Sequence, residues 1–180
     1  MNITAKTLLA MEYLLCQQNL IFDFVLRTNV STIFNFTELV KYCNQIPTKN
    51  IYTGGFILNL QWLDPSFGIH NNELFGALFV QGSCILWSYD IAYNIIENID
   101  KVRTDIIDDV AFGVYIQNYL PNTLQNLYPF KISGIATDIG ITDDDILKHV
   151  FTRNKIDYCN PYRTSDLINM EYIIRVLYSK

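Results

Sequence analysis

Two adjacent aspartates, Asp108 and Asp109 in "TDIIDDVAFGVYIQNYL", are the strongest candidates for chemistry in this 180-residue chain. They head a segment whose apolar pattern predicts a helix, and the amide dipole of a helix N-terminus favours an ionised carboxylate. An ionised aspartate beside a hydroxyl can take its proton as a general base. The same pair can also do no more than cap the helix. Gly113, one turn on, leaves room for this helix to pack close to a neighbour. A second acidic group, Asp143, Asp144 and Asp145 in "ITDDDILKHV", opens another predicted helix that Thr142 can cap, and a favourable N-terminus accounts for it. Beyond it, "KHVFTRNKIDYCNPYR" gathers Lys148, His149, Arg153, Lys155 and Arg163, which by themselves read as a solvated basic face.

A different question is posed by "FDFVLRTNVSTIFNF". An apolar strand stops at Arg27-Thr28, resumes as "TIFNF", and leaves Asn29, Val30 and Ser31 in the break. None of the three is a strong metal ligand, acid or base. The cysteines, Cys16, Cys43, Cys84 and Cys159, are far apart, form no Cys-x-x-Cys pair, and read as buried free thiols. With only His70 and His149 as imidazoles, neither near a cysteine, zinc is not expected. His70 is assigned to a loop surface, and Trp62 and Trp87 to the core ahead of any stacking on a sugar.

Helices and strands must hold these residues in place. "TAKTLLAMEYLL" has helical spacing, with Asn2 or Thr4 as cap, and "FDFVL" reads as a short, largely buried strand. "FTELVKYCN" is helical, with Thr37 able to cap and Glu38 favourable in the first turn. Gly54-Gly55 suggests a turn or bulge between extended segments. Gln61 to Asn72 reads as a long surface loop, of the kind that often carries function. Then follow a strand at "CILW", a helix that Ser88 can cap, the helix headed by the aspartate pair, and a last helix from about Ser165. Strands alternating with helices predict a single α/β layered domain over residues 1–180.

Bulk properties set limits. Half the residues are hydrophobic and 14% aromatic, which excludes a disordered or fibrous chain. A net charge of −5 with no basic block argues against nucleic acid or an anionic membrane surface as partner. No apolar run reaches the roughly 18 residues of a membrane span, and the start lacks the marks of a secretory signal. A soluble, cytoplasmic protein is the expectation. Sequons at Asn2, Asn29 and Asn35 carry little weight in a chain with 17 Asn and 24 Ile.

Three blocks stand in the order of one family. "FVQGSCILWSYD" resembles the aromatic-x-x-Gly-x-x-(apolar)3-Ser-x-Asp block of the β-1,3-galactosyltransferase and Fringe-like glycosyltransferases. "IIDDVAFG" resembles their acidic-Asp-Val-x-x-Gly block, which follows at a similar distance. Upstream, the stretch from Asn2 to Phe36 is similar to their Asn-Leu-Thr-x-Lys-Thr helix and a strand ending in Lys-Thr-Asp-Asp-Asp. The resemblance spans about residues 2–120 and is weaker in the tail.

It implies a GT-A-like fold, a UDP-sugar donor and a glycan or glycoprotein acceptor. Asp109 falls on the family's general base for inverting transfer and Asp108 on the acidic residue before it. Gly82 and Ser83 fall on the acceptor side, although a bulge glycine with no ligand fits Gly82 almost as well. Arg27 and Thr28 fall on the Lys-Thr, so Asn29, Val30 and Ser31 replace the acidic triplet that holds Mn²⁺ or Mg²⁺ in the family. A hard dication prefers anionic oxygens, so weak or absent metal binding is expected. Arg27, Thr28, Asn29 and Ser31 would then face the donor. His149, Arg153 and Lys155 would offset phosphate charge in place of the metal, unless they are only the solvated basic face. The family's first βαβ elements precede the helix that here starts at Met1, so the expectation is either a fragment or a protein that has lost its donor half. The competing expectation is a non-catalytic descendant whose exposed apolar surface is covered by self-association or by a partner.

Overall fold

The computed structural model describes residues 2–17, 20, 22–137, 141–155 and 163–179. In chain order these form α1 (Ile3–Glu12), β1 (Phe24–Thr28), β2 (Thr32–Phe34), α2 (Phe36–Cys43), β3 (Tyr52–Gly54), β4 (Ile57–Asn59), β5 (Leu78–Val80) and β6 (Cys84–Ser88). There follow α3 (Tyr89–Glu97), α4 (Asp108–Tyr119), β7 (Gly134–Ala136), α5 (Asp143–Lys148), β8 (Phe151–Arg153) and α6 (Thr164–Tyr178). The protein is mixed α/β, with its strands in small sheets. Its backbone divides into two compact units: Met1–Arg27 with Pro47–Lys131, and Thr28–Ile46 with Ile132–Lys180.

The first unit holds a three-stranded sheet in the order β1-β6-β3 and the pair β4-β5. β3 runs antiparallel to β6, with Tyr52 opposite Trp87 and Gly54 opposite Ile85. β6 is buried along its whole length, as its unbroken apolar run requires. Trp87 meets Phe112 of α4 edge to face, 5.0 Å between ring centres. Gly113 faces β5 so closely that a β-carbon there would come within 2.5 Å of Leu78 O and Phe79 Cβ. That contact seats α4 on the strand pair.

The second unit is a sheet in the order β2-β8-β7, with β2 antiparallel and β7 parallel to β8. Ile33, Ile146 and Ile173 form its core cluster. The Asp143–Asp145 triplet opens α5 through a capping box, Thr142 Oγ1 accepting from Asp145 N at 3.2 Å and Thr142 N donating to the Asp145 carboxylate at 3.1 Å.

Several local expectations change. Asn35, not Thr37, caps α2, its Oδ1 accepting from Glu38 N at 3.3 Å. Ser88 occupies the N-cap position of α3, but its hydroxyl donates to Asp90 at 2.5 Å instead of accepting from the helix. β1 is only half-buried, with Val25 its one buried residue. Of the cysteines, only Cys84 is buried; Cys43 is partly exposed, Cys16 is exposed, and Cys159 lies outside the described residues. Among the described residues, no helix is long and apolar enough to cross a membrane.

Candidate active site

The aspartate pair opens α4 as its pattern predicts, but no solvent-facing cap results. Asp108 and Asp109 are both buried. Asp108 accepts from Arg27 Nη2 at 2.6 Å and from Thr7 Oγ1 at 2.9 Å, while its other oxygen accepts from Asp109 N at 3.0 Å. A charge taken out of water needs such partners, and Arg27 supplies the opposite charge. The same guanidinium donates through Nη1 to the carbonyl oxygen of Gly82. One arginine at the end of β1 therefore ties the head of α4 to the turn before β6.

Asp109 differs in charge terms, with no cation bonded to it among the described residues. Its Oδ2 accepts from Gly82 N at 3.1 Å and its Oδ1 from Val110 N at 2.9 Å. Burial pushes its carboxyl above the ordinary range, and the charge of Asp108 adds to the rise. The two backbone donors and Arg27 pull the other way but do not cancel it. This corrects the expectation that the helix dipole sets its ionisation: desolvation is the larger effect.

Asp109 lines a cavity of about 120 Å³ together with Trp62, Asp64, Phe67, Phe79 and Gln81. Here the structure overturns one expectation. Trp87 is core, but Trp62 is 44% exposed and stands at this cavity, tilted against Phe79 at 6.1 Å between ring centres. The loop that carries Trp62 is pinned by an Asp64–Ile69 bridge, and Asp64 also accepts from Ser66 Oγ at 2.7 Å. Asp64, Phe67 and Gln81 were not legible as site residues. Their only signal was membership of the Pro- and Gly-rich loop or of the glycine block. An aromatic wall with carboxylate and amide oxygens suits a sugar ring, which has apolar C–H faces and a polar rim.

The residues expected to face acceptor and donor have other partners as well. Ser83 is fully buried, and its hydroxyl donates to Gln81 Oε1 at 3.3 Å. A β-carbon on Gly82 would collide with the Arg27 guanidinium, so a side chain there would require that guanidinium to move. Thr28 ends β1. Asn29 Oδ1 accepts from Ser31 N at 3.1 Å and from Thr32 Oγ1 at 2.9 Å, a side-chain-closed turn between β1 and β2. Ser31 is buried, its Oγ accepting from Arg163 Nη1 at 3.2 Å. His149 ends α5 with Nδ1 2.6 Å from Asp145 O, which makes Nδ1 the protonated nitrogen. Arg153 ends β8 and Lys155 follows two residues later, both partly exposed. The structure thus brings Arg27, Gly82, Asp108 and Asp109 together in the first unit. Ser31, His149, Arg153 and Lys155 belong to the second. His70 is exposed on its loop as expected.

Asn29 and Ser31 do not fit a divalent cation. Their oxygens are neutral, already accept hydrogen bonds, and in Ser31 face a guanidinium. Among the described residues no group of three or more His, Cys, Asp or Glu could hold a metal. No family model matches the chain, and no curated protein matches it at a significant level.

Proposed function

We propose that the chain is a GT-A-like, inverting glycosyltransferase in which Asp109 is the general base and the cavity beside it takes the acceptor sugar. The observation that carries this reading is a buried carboxylate of raised basicity on the wall of an aromatic cavity. In the reaction, Asp109 takes the proton of an acceptor hydroxyl. The oxygen's electron pair forms the new bond to the anomeric carbon of a UDP-hexose. The bond from that carbon to the diphosphate oxygen breaks on the opposite face, and UDP leaves with the electron pair.

Cavity size supports the acceptor assignment. A volume of about 120 Å³ is well below the roughly 300–1,000 Å³ of pockets that enclose drug-sized ligands, so a nucleotide sugar is too large for it. Asp108, bonded to Arg27, works by position: it fixes α4 and, through its bond to Asp109 N, the base itself. The donor side rests on the resemblance of Arg27, Thr28, Asn29 and Ser31 to the family's strand end, and on the cations His149, Arg153 and Lys155. The competing reading, a non-catalytic interaction domain, is favoured by the turn-building use of Asn29 and Ser31. It is also favoured by the exposure of Leu167, Ile168 and Ile174 along α6.

Transfer from UDP-galactose or UDP-N-acetylglucosamine to a panel of small saccharides is the direct test. Asp109→Asn keeps the shape of the site and removes the base, so turnover should fall to background with the fold retained. Undiminished turnover in Asp109→Asn would sink the assignment of the base.

A further inference from the structure

The first unit has a second, larger opening of about 490 Å³ that shares no lining residue with the cavity at Asp109. It is lined by Asn50, Asp90, Asn94, Tyr119, Asn122 and Thr123, with a few apolar neighbours. Its volume falls within the roughly 300–1,000 Å³ of ligand pockets.

Asn50 gives it a constrained centre. Its φ of 56° lies in the left-handed region, which non-glycine residues enter at a cost and keep only when their surroundings hold them there. Here they do. Asn50 N donates to both Asp90 carboxylate oxygens, at 2.9 and 3.2 Å, and Asn50 O accepts from Asn126 Nδ2. Asn50 Oδ1 accepts from Thr123 Oγ1 at 2.7 Å, which leaves Nδ2 as the spare end of the amide. Asn94 is fixed in the same way: its Oδ1 accepts from Tyr115 Oη at 2.9 Å and its Nδ2 is left over. The Asn122 amide and the Tyr119 hydroxyl make no hydrogen bond among the described residues. Four neutral polar groups are thus available on the walls of one opening.

The charge pattern selects the ligand. Asp90 is the charged residue of the lining, and neither Lys nor Arg joins it. A phosphate or carboxylate would meet repulsion there, and an apolar ligand would leave the amides unsatisfied. A neutral molecule rich in hydroxyls satisfies both conditions. We propose that this opening is a saccharide-binding site for a neutral oligosaccharide segment, separate from the cavity at Asp109 and independent of any reaction there.

The test is a ¹H–¹⁵N correlation titration of the full chain with lactose, maltotriose and N,N′-diacetylchitobiose, and separately with inorganic phosphate. Side-chain amide signals of Asn50, Asn94 and Asn122 should shift saturably with at least one of the sugars and stay still with phosphate. The pair Tyr119→Ala and Asn122→Ala should remove the response. Asn94→Asp keeps the acceptor for Tyr115 and exchanges the spare donor for an acceptor, so it should weaken binding about tenfold even where the pair of alanines disturbs folding. Asp109→Asn should leave the response unchanged, which separates this site from the proposed transferase. No saturable shift with any of the three sugars would overturn the proposal. So would a response to phosphate, or sugar binding that survives both sets of variants.

Discussion

At the scale of the residue, Asp109 is set between opposing influences. Two backbone donors stabilise its charged form, while burial and Asp108 oppose it, and burial wins. Since the base must be ionised to act, kcat/KM should rise with pH along an acid limb centred above the ordinary aspartate value of about 3.9. A limb at or below that value contradicts the reading of the site. Stability carries the opposite slope. A folded-state pKa above the unfolded one means that the folded protein binds the proton more readily, so Asp109 favours folding at low pH. That contribution is lost as pH rises through the raised pKa. Thermal unfolding of the wild type relative to Asp109→Asn should show this decline. Trp62 acts at the same scale. It is half-exposed, so Trp62→Ala should cost little stability but raise the KM for acceptor about tenfold, equivalent to about 1.4 kcal/mol. An unchanged acceptor KM would remove Trp62 from the site.

At the scale of the element, the head of α4 is held by Arg27 as much as by its own sequence. β1 delivers the guanidinium, the turn before β6 delivers the Gly82 carbonyl, and α4 delivers Asp108; each position makes sense only with the other two. A side chain at Gly82 would displace the guanidinium from this arrangement. Arg27→Met fills similar space without charge or donors, leaving Asp108 in the interior without its cation and the Gly82 carbonyl without its donor. Breaking a buried pair in this way typically costs about 3–5 kcal/mol, measurable by denaturant unfolding. A loss below about 1 kcal/mol would mean that the pair behaves like a surface salt bridge.

At the scale of the whole molecule, two compact units divide the expected roles: the base and its cavity in the first, the cationic residues His149, Arg153 and Lys155 in the second. Because Asn29 Oδ1 is spent on the β1–β2 turn and Ser31 Oγ on the Arg163 guanidinium, UDP affinity measured by titration calorimetry should be the same with Mn²⁺ as with EDTA. Binding that requires Mn²⁺ would show that ligands other than these hold a metal. The absence of UDP binding under both conditions would favour the non-catalytic reading, with the apolar residues of α6 as the surface to pursue.

Much of this architecture was legible in the chain itself, because its determinants are local. The spacing of Leu8 and Met11, the capping signals of Asn2 and Thr142, the glycines at Gly54-Gly55 and the acidic start of α4 act over a few residues and set helices, turns and strands wherever they occur. The rise of the Asp109 carboxyl above its ordinary range was not legible, since it depends on burial and on Asp108, and burial is a property of the packed chain. Nor was the exposed position of Trp62 beside the Asp109 cavity legible, because a tryptophan reads as core until its neighbours are placed. Arg27 shows the limit most clearly. Its place in the resemblance pointed towards the sugar donor, and only packing could bring it against Asp108 and Gly82, 81 and 55 residues away. The sequence by itself determined the elements and the residue types available for chemistry; the tertiary structure alone decided which of them lose water, and so which charges must be paired and which carboxyl is pushed above its ordinary range.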